Sequence, residues 1–345
     1  MISAVYVERA VADHPRTRQI LGRFTKVPHV QVERYGEVFN RRDQNFRLQK
    51  NRPGLILADK PKGHLQPVPE GYGIGGRHNY YFSHLLNCPY DCRYCFLQGM
   101  YASAHYVLFV DYEAFFAAAA AAASAHGGGS DGEITFFSGY DADSLALEGL
   151  TGFVEAAVPA FAGMPGAVLE LRTKSASPGP LLSLDAHDRL VVAFSLTPPA
   201  LGAEVEAGVP TLDRRLATLA KLAAHGWPIG LRFDPLLWHP AAEEHYAELF
   251  ERVFAAVPRG RLHSVSLGAF RLPVGFFKKL EKLHPDSALI QAGPFQRHGG
   301  MVSYRLDLER RLVERCTELV RRHVDGDRFF PCPLPGADAE RAHAG

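Results

Sequence analysis

The sequence predicts an α/β fold: a partial (β/α)6 barrel over residues 81–285, preceded by a small N-terminal layer (1–80) and followed by a C-terminal hairpin and helix (286–335). Three observations carry this. From about residue 80, short apolar segments alternate with amphipathic ones in six strand-then-helix units. Several apolar segments are uninterrupted, as in parallel strands covered on both faces. Polar residues recur where those segments stop, and that end of a βα barrel carries its chemistry. The chain has 345 residues, 47% hydrophobic and 22% charged. That is ample for such a core and too apolar for a disordered chain. An open sheet of four or five units is the rival arrangement.

In chain order, Ser3–Val7 and Gly54–Ala58 read as strands of the N-terminal layer, among Pro and Gly punctuation. Gly71-Tyr72-Gly73-Ile74-Gly75-Gly76 matches a dinucleotide-binding spacing, but a Pro-rich stretch precedes it and a strand follows it. That motif needs a strand before and a helix after, so this one reads as a flexible lead-in. Tyr81–Leu86 reads as the first barrel strand and runs into a cysteine-bearing loop. Tyr112–His126 is an Ala-rich helix stopped by Gly127–Gly129. Further strands are expected at Ile134–Ser138, Ala167–Thr173, Leu190–Leu196, Ile229–Phe233 and Leu262–Leu267. Helices are expected near 144–161, 178–186, 211–225, 240–257 and 273–284. Gln291–Arg305 reads as a hairpin turning near His298–Gly300. Leu308–Val324 reads as a final helix with Leu308, Leu312, Cys316, Leu319 and Val320 on one face. The last ten residues, Gly336–Gly345, read as a disordered tail.

Charge and targeting signals exclude several classes. A net charge of +1 gives no global basic field, so any nucleic acid must be held by a local patch. The first thirty residues carry Glu8, Arg9, Asp13, Arg16, Arg18 and Arg23 and lack a secretory pattern. The apolar run around Ala117–Ala123 is too short to span a bilayer. The chain reads as cytoplasmic, with no membrane partner.

Five cysteines are too few for a disulfide scaffold, yet three fall within eight residues, spaced Cys88-x3-Cys92-x2-Cys95. Three readings compete. Structural zinc needs a fourth ligand, from His84, Cys316 or Cys332, none at a usual spacing. Buried structural thiols sit poorly in a loop containing Pro89, Asp91 and Arg93. An iron–sulfur cluster with three thiolate ligands leaves one iron open to substrate or cofactor.

This spacing, with Tyr94 just before the third cysteine, resembles the signature of radical S-adenosylmethionine (SAM) enzymes. The resemblance implies a radical SAM barrel with a [4Fe-4S] cluster on Cys88, Cys92 and Cys95. SAM would be chelated at the open iron and cleaved reductively to a 5′-deoxyadenosyl radical, with an electron from a donor such as flavodoxin or ferredoxin. Cys92-Arg93-Tyr94-Cys95-Phe96-Leu97-Gln98 is more narrowly similar to the C-x-Y-C-Y-L-Q segment of the spore photoproduct lyase family of radical SAM DNA-repair enzymes. Val5-Tyr6-Val7-Glu8 resembles that family's opening strand, and Thr173-Lys174 and Phe194-Ser195 its T-K and F-S strand ends. Thr211–Arg215, Ala224–Gly230 and Tyr246–Phe250 resemble further stretches in the same order. The resemblance implies that Tyr94, Ser138, Lys174 and Ser195 contact SAM. Lys174 and Arg232 would be charge-assisted donors to its carboxylate.

Two departures mark a divergent branch. The family's hydrogen-donor cysteine at the second strand end corresponds to Gly139, in Ser138-Gly139-Tyr140-Asp141, and its tyrosine after the third cluster cysteine to Phe96. Cys316 reads as core, and Cys332 reaches the site only if the chain folds back. Of the family's basic DNA-binding hairpin, Arg297, His298 and Arg305 remain. The implied activity is that of a carbon–carbon lyase acting on a nucleic-acid lesion or modified base. The alternatives are a radical SAM enzyme on a small-molecule or peptide substrate, or a non-catalytic, zinc-bound nucleic-acid-binding protein.

Overall fold

Six parallel strands form the centre of the molecule in the computed structural model, which describes residues 2–69, 71–130 and 132–332. They are β1 (His78–Tyr81), β2 (Ile134–Phe137), β3 (Ala167–Thr173), β4 (Leu190–Ser195), β5 (Ile229–Leu236) and β6 (Leu262–Ala269). They pair in sequence order, as a progressively wound βα barrel requires. Burial on both faces explains the uninterrupted apolar runs: all six residues of β4, Leu-Val-Val-Ala-Phe-Ser, are buried. Helices cover the outer face. The one over Leu212–His225 starts where the Thr211 side chain accepts from the Arg214 amide, and ends at Gly226 in a left-handed conformation. Trp227 follows it, fully buried, its indole N–H donating to the Leu181 carbonyl at 2.8 Å. The predicted (β/α)6 partial barrel is the fold observed.

The differences lie at element boundaries. The first barrel strand is His78–Tyr81 rather than Tyr81–Leu86. Leu85–Leu86 turns away to pair antiparallel with Tyr106–Phe109, a strand that sequence reading missed. Both belong to a second, five-stranded sheet with His29–Val32, Val5–Glu8 and Leu55–Ala58. The helix expected over 144–161 is broken into Glu148–Thr151 and Phe153–Ala162 by Gly152 at φ 60°. The helix expected near 178–186 is one 3-10 turn, Gly179–Leu182. Pro178 and Pro180 flank a glycine at φ 55° there, and a proline ring supplies no amide hydrogen to continue a helix. A short helix at Pro199–Val205 was not anticipated.

Beyond the barrel, Phe295–His298 and Met301–Tyr304 form the expected hairpin around Gly299-Gly300, with Arg271–Pro273 as its third strand. Helix Leu306–Val320 follows and buries Cys316 as expected. The chain then returns to the barrel, where β7 (Phe329–Pro331) adds in parallel to β6. The expected tail, Gly336–Gly345, lies outside the described residues. Among those described, no helix is long and apolar enough to cross a membrane.

Candidate active site

A cavity of 360 Å³ opens at the carboxyl ends of the barrel strands. Its volume is in the range of small-molecule sites. Cys88, Cys92 and Cys95 line one side, on the loop after β1, with Tyr94 and Phe96 beside them. Lys174 just past β3 and Ser195 at the end of β4 line it as well, as does Gly139 after β2.

The cysteine loop is short and irregular, so its shape is imposed from outside. From the N-terminal layer, Lys50 Nζ donates to the carbonyls of Cys88 and Tyr90 at 2.6 and 2.7 Å. Arg47 forms two hydrogen bonds to Asp91, and Gln98 Nε2 donates to the Cys92 carbonyl at 2.8 Å. The barrel side pairs Asp91–Cys92 antiparallel with Glu206–Ala207, and the Arg93 amide donates to the Val205 carbonyl at 2.8 Å.

Glu206 is the hub of this arrangement. Its carboxylate accepts from the Tyr94 hydroxyl, from Lys174 Nζ at 2.7 Å, from Thr197 at 2.8 Å and from Arg215 at 3.2 Å. Burial alone would raise its pKa, but the neighbouring Lys174 and Arg215 charges outweigh that and hold it down to about 2. The carboxylate is therefore charged at all ordinary pH, and it fixes Tyr94 and Lys174 against the cluster loop.

Burial raises the pKa of all three loop thiols. The charges of Lys50 and Lys174 act in the opposite direction, so the two lysines ease formation of the thiolates that any metal would need. Among the described residues, no three His, Cys, Asp or Glu side chains gather around one ion-sized point.

The remaining candidates divide. Ser138 is buried below the cavity wall, bonded to Ser144 at 2.9 Å and to the Glu170 carbonyl at 3.2 Å. Arg232 is fully buried in the barrel interior, paired with Glu170 at 2.6 Å and bonded to Ser264. Its guanidinium is spent on that ion pair and does not line the cavity. Removing Arg232 would leave Glu170 as an unpaired buried charge, so a structural role explains it. Arg297, His298 and Arg305 are exposed on the hairpin and its exit, also outside the cavity lining.

Several further residues line the cavity, and of these Tyr140, Arg172 and Tyr72 carried no sequence signal. Tyr140 stacks on Tyr81 with ring centroids 4.6 Å apart. Arg172 and Asp234 pair at 3.2 Å across β3 and β5. Tyr72, in the glycine-rich lead-in, also lines the wall. So does Cys332, which β7 delivers to the end of β6.

Comparison with known proteins points one way. A sequence model of the spore photoproduct lyase family matches residues 79–279. The chain is 26% identical over 257 residues to the spore photoproduct lyase of Bacillus subtilis (strain 168), covering 71% of each chain. Its fold superposes on a solved spore photoproduct lyase double mutant with bound AdoMet and dinucleoside spore photoproduct. That match has a TM-score of 0.82 and 18% identity and covers 96% of this chain and 98% of the other. A second spore photoproduct lyase structure, complexed with dinucleoside spore photoproduct, matches with a TM-score of 0.80 and 19% identity, covering 95% and 99%.

Proposed function

The chain belongs to the spore photoproduct lyase family of radical SAM lyases, and from that premise we propose that it cleaves SAM at a [4Fe-4S] cluster on Cys88, Cys92 and Cys95 to act on a damaged or modified nucleobase. The observation that carries this reading is the convergence of the three loop cysteines, Lys174 and Ser195 on one cavity at the strand ends.

The donor set fits such a cluster. The three thiols face a common space without closing on a single-ion point. Three thiolates with no fourth protein ligand are the set an iron–sulfur cluster with one open iron would use. Cys88, Cys92 and Cys95 would hold the cluster, which would supply the electron for reductive cleavage of SAM.

The rest is the work of this chain's residues. Lys174, paired with Glu206, lines the cavity and is one of the cations there that a SAM carboxylate would meet. Ser195 lines the same cavity with its hydroxyl-bearing side chain. Tyr140 and Tyr72 present aromatic faces on which a base can stack. The largely apolar wall limits the water around a reactive radical. The relatives' structures hold AdoMet and a dinucleoside photoproduct, which supports ligands of this class here.

The test is anaerobic reconstitution with iron and sulfide. The expected result is iron–sulfur absorbance and release of 5′-deoxyadenosine under dithionite, in the presence and absence of UV-irradiated DNA. Cys95→Ala should lose both. SAM cleavage that survives in Cys95→Ala would overturn the proposal.

A further inference from the structure

We infer that Cys332 is the hydrogen-donating thiol of this active site, delivered to the cavity by the C-terminal strand β7 rather than by the end of β2. The inference rests on the radical SAM reading above and assigns one further residue to it.

The geometry at the two strand ends is the starting point. At Gly139, a Cβ would stand 2.8 Å from Arg172 Cβ, 3.0 Å from the Arg172 carbonyl and 3.0 Å from Ser144 Oγ. A thiol side chain does not fit there unless β3 shifts. At the end of β6 the opposite holds. Gly268 leaves a gap that Cys332 fills: a Cβ on Gly268 would fall 2.7 Å from Cys332 Cβ and 2.8 Å from its Sγ. Any other residue at 268 would evict the thiol.

Cys332 is also held in register, its amide donating to the Leu267 carbonyl at 2.8 Å, one step beyond the β7–β6 pairing. It lines the same cavity as Cys88, Cys92 and Cys95. The fifth cysteine, Cys316, is buried in the last helix and lines no part of that cavity.

The surroundings suit a donor that stays protonated. Burial, reinforced by the Asp234 carboxylate, pushes the Cys332 thiol up to about 12, so the sulfur keeps its hydrogen. A thiol S–H bond is weaker than the C–H bonds of a substrate, so a carbon radical in the cavity takes that hydrogen readily. In the step, the S–H bond breaks, a substrate C–H bond forms, and Cys332 becomes a thiyl radical. One electron from the low-potential donor that serves the cluster, with one proton from water, restores the thiol.

Deuterium tests this without knowledge of the substrate. The reconstituted protein is incubated with SAM and dithionite in D2O, where the Cys332 thiol exchanges to S–D. With no substrate present, the 5′-deoxyadenosyl radical quenches on the nearest weak bond. Wild type should then release 5′-deoxyadenosine carrying one deuterium. Cys332→Ala and Cys332→Ser should lose most of the deuterium from whatever 5′-deoxyadenosine they release, and Cys316→Ala should keep it. The serine variant preserves size and hydrogen bonding, which separates loss of the donor from loss of the fold.

A second readout needs no turnover. Prolonged iodoacetamide labelling of the reconstituted protein at alkaline pH, continued until Cys332 is modified in the free protein, should show Cys332 protected by thymidylyl-(3′→5′)-thymidine and Cys316 unaffected by it. Unchanged deuterium in Cys332→Ala, or equal labelling of Cys332 with and without the dinucleotide, overturns the assignment and leaves the family reading standing. Absence of 5′-deoxyadenosine from wild type itself overturns that reading, and the assignment with it.

Discussion

Glu206 shows how a single residue can organise a site that no motif announces. Its partners come from four places in the chain: Tyr94 from the cysteine loop, Lys174 from the end of β3, Thr197 from beyond β4 and Arg215 from the following helix. Burying so much charge gains little net stability, because desolvation offsets the attraction. What it gains is position. Glu148 is a contrasting buried carboxylate, with no cationic partner among the described residues. Burial raises its pKa from 4.5 to about 7, even though the Val154 amide and Thr151 hydroxyl donate to it. The folded protein therefore binds this proton more tightly than the unfolded chain does. Stability from this group is greatest below pH 4.5 and falls as pH rises through about 7. Glu148→Gln keeps an oxygen for Val154 and removes the charge. We expect it to match wild type near pH 4.5 and to be more stable at pH 8, by on the order of 3 kcal/mol at most. Urea unfolding at the two pH values checks this; equal stability at pH 8 would refute it.

Elements that form from local pattern were legible in the sequence, and elements that form from long-range pairing were not. Continuous apolar runs marked β2 to β6 because each strand is buried on both faces. Thr211 and Gly226 marked both ends of a helix through capping chemistry alone. Leu85–Leu86 and Tyr106–Phe109 could not be assigned to the second sheet, because their partners lie twenty or more residues away and their composition is that of any buried strand. Of the site, the cysteine spacing and the strand-end positions of Lys174 and Ser195 were readable. The burial of Arg232 was not, since an arginine at a strand end looks the same whether it faces a cavity or a Glu170 inside the barrel. The least legible element is β7: three residues, two of them phenylalanine and one proline, after a surface helix. Phe329 anchors it, buried beside Val265 of β6. Phe329→Ala should cost about 3 kcal/mol, and should raise the alkylation rate of Cys332 while leaving that of Cys316 unchanged. A destabilised variant whose Cys332 is no more reactive would mean that β7 does not hold the thiol in place.

At the scale of the whole molecule, a net charge of +1 conceals an uneven distribution. The first 62 residues hold 13 Lys and Arg against 6 Asp and Glu, so the remainder is acidic overall. DNA, if bound, must therefore meet local basic surfaces, and two candidates stand out among the described residues. One is the N-terminal layer, where Arg47 and Lys50 brace the cysteine loop while Arg34, Arg41, Arg42 and Arg52 are exposed. The other is the hairpin, where Arg297 and His298 are exposed and Arg305 is held only by a loose surface pair with Asp307 at 3.6 Å. A surface pair of that kind contributes little and yields readily to a phosphate. Each phosphate contact on duplex DNA adds about 0.9 to the slope of log affinity against log salt. If Arg297 and Arg305 each meet a phosphate, the double charge reversal Arg297→Glu/Arg305→Glu should lower that slope by roughly 2 and weaken binding alike for all sequences. SAM cleavage should be unaffected, since neither residue lines the cavity. Fluorescence anisotropy of a labelled duplex over a salt series measures the slope. An unchanged slope would exclude the hairpin as the DNA surface. No binding by wild type even at low salt would favour a small-molecule substrate for the same radical chemistry.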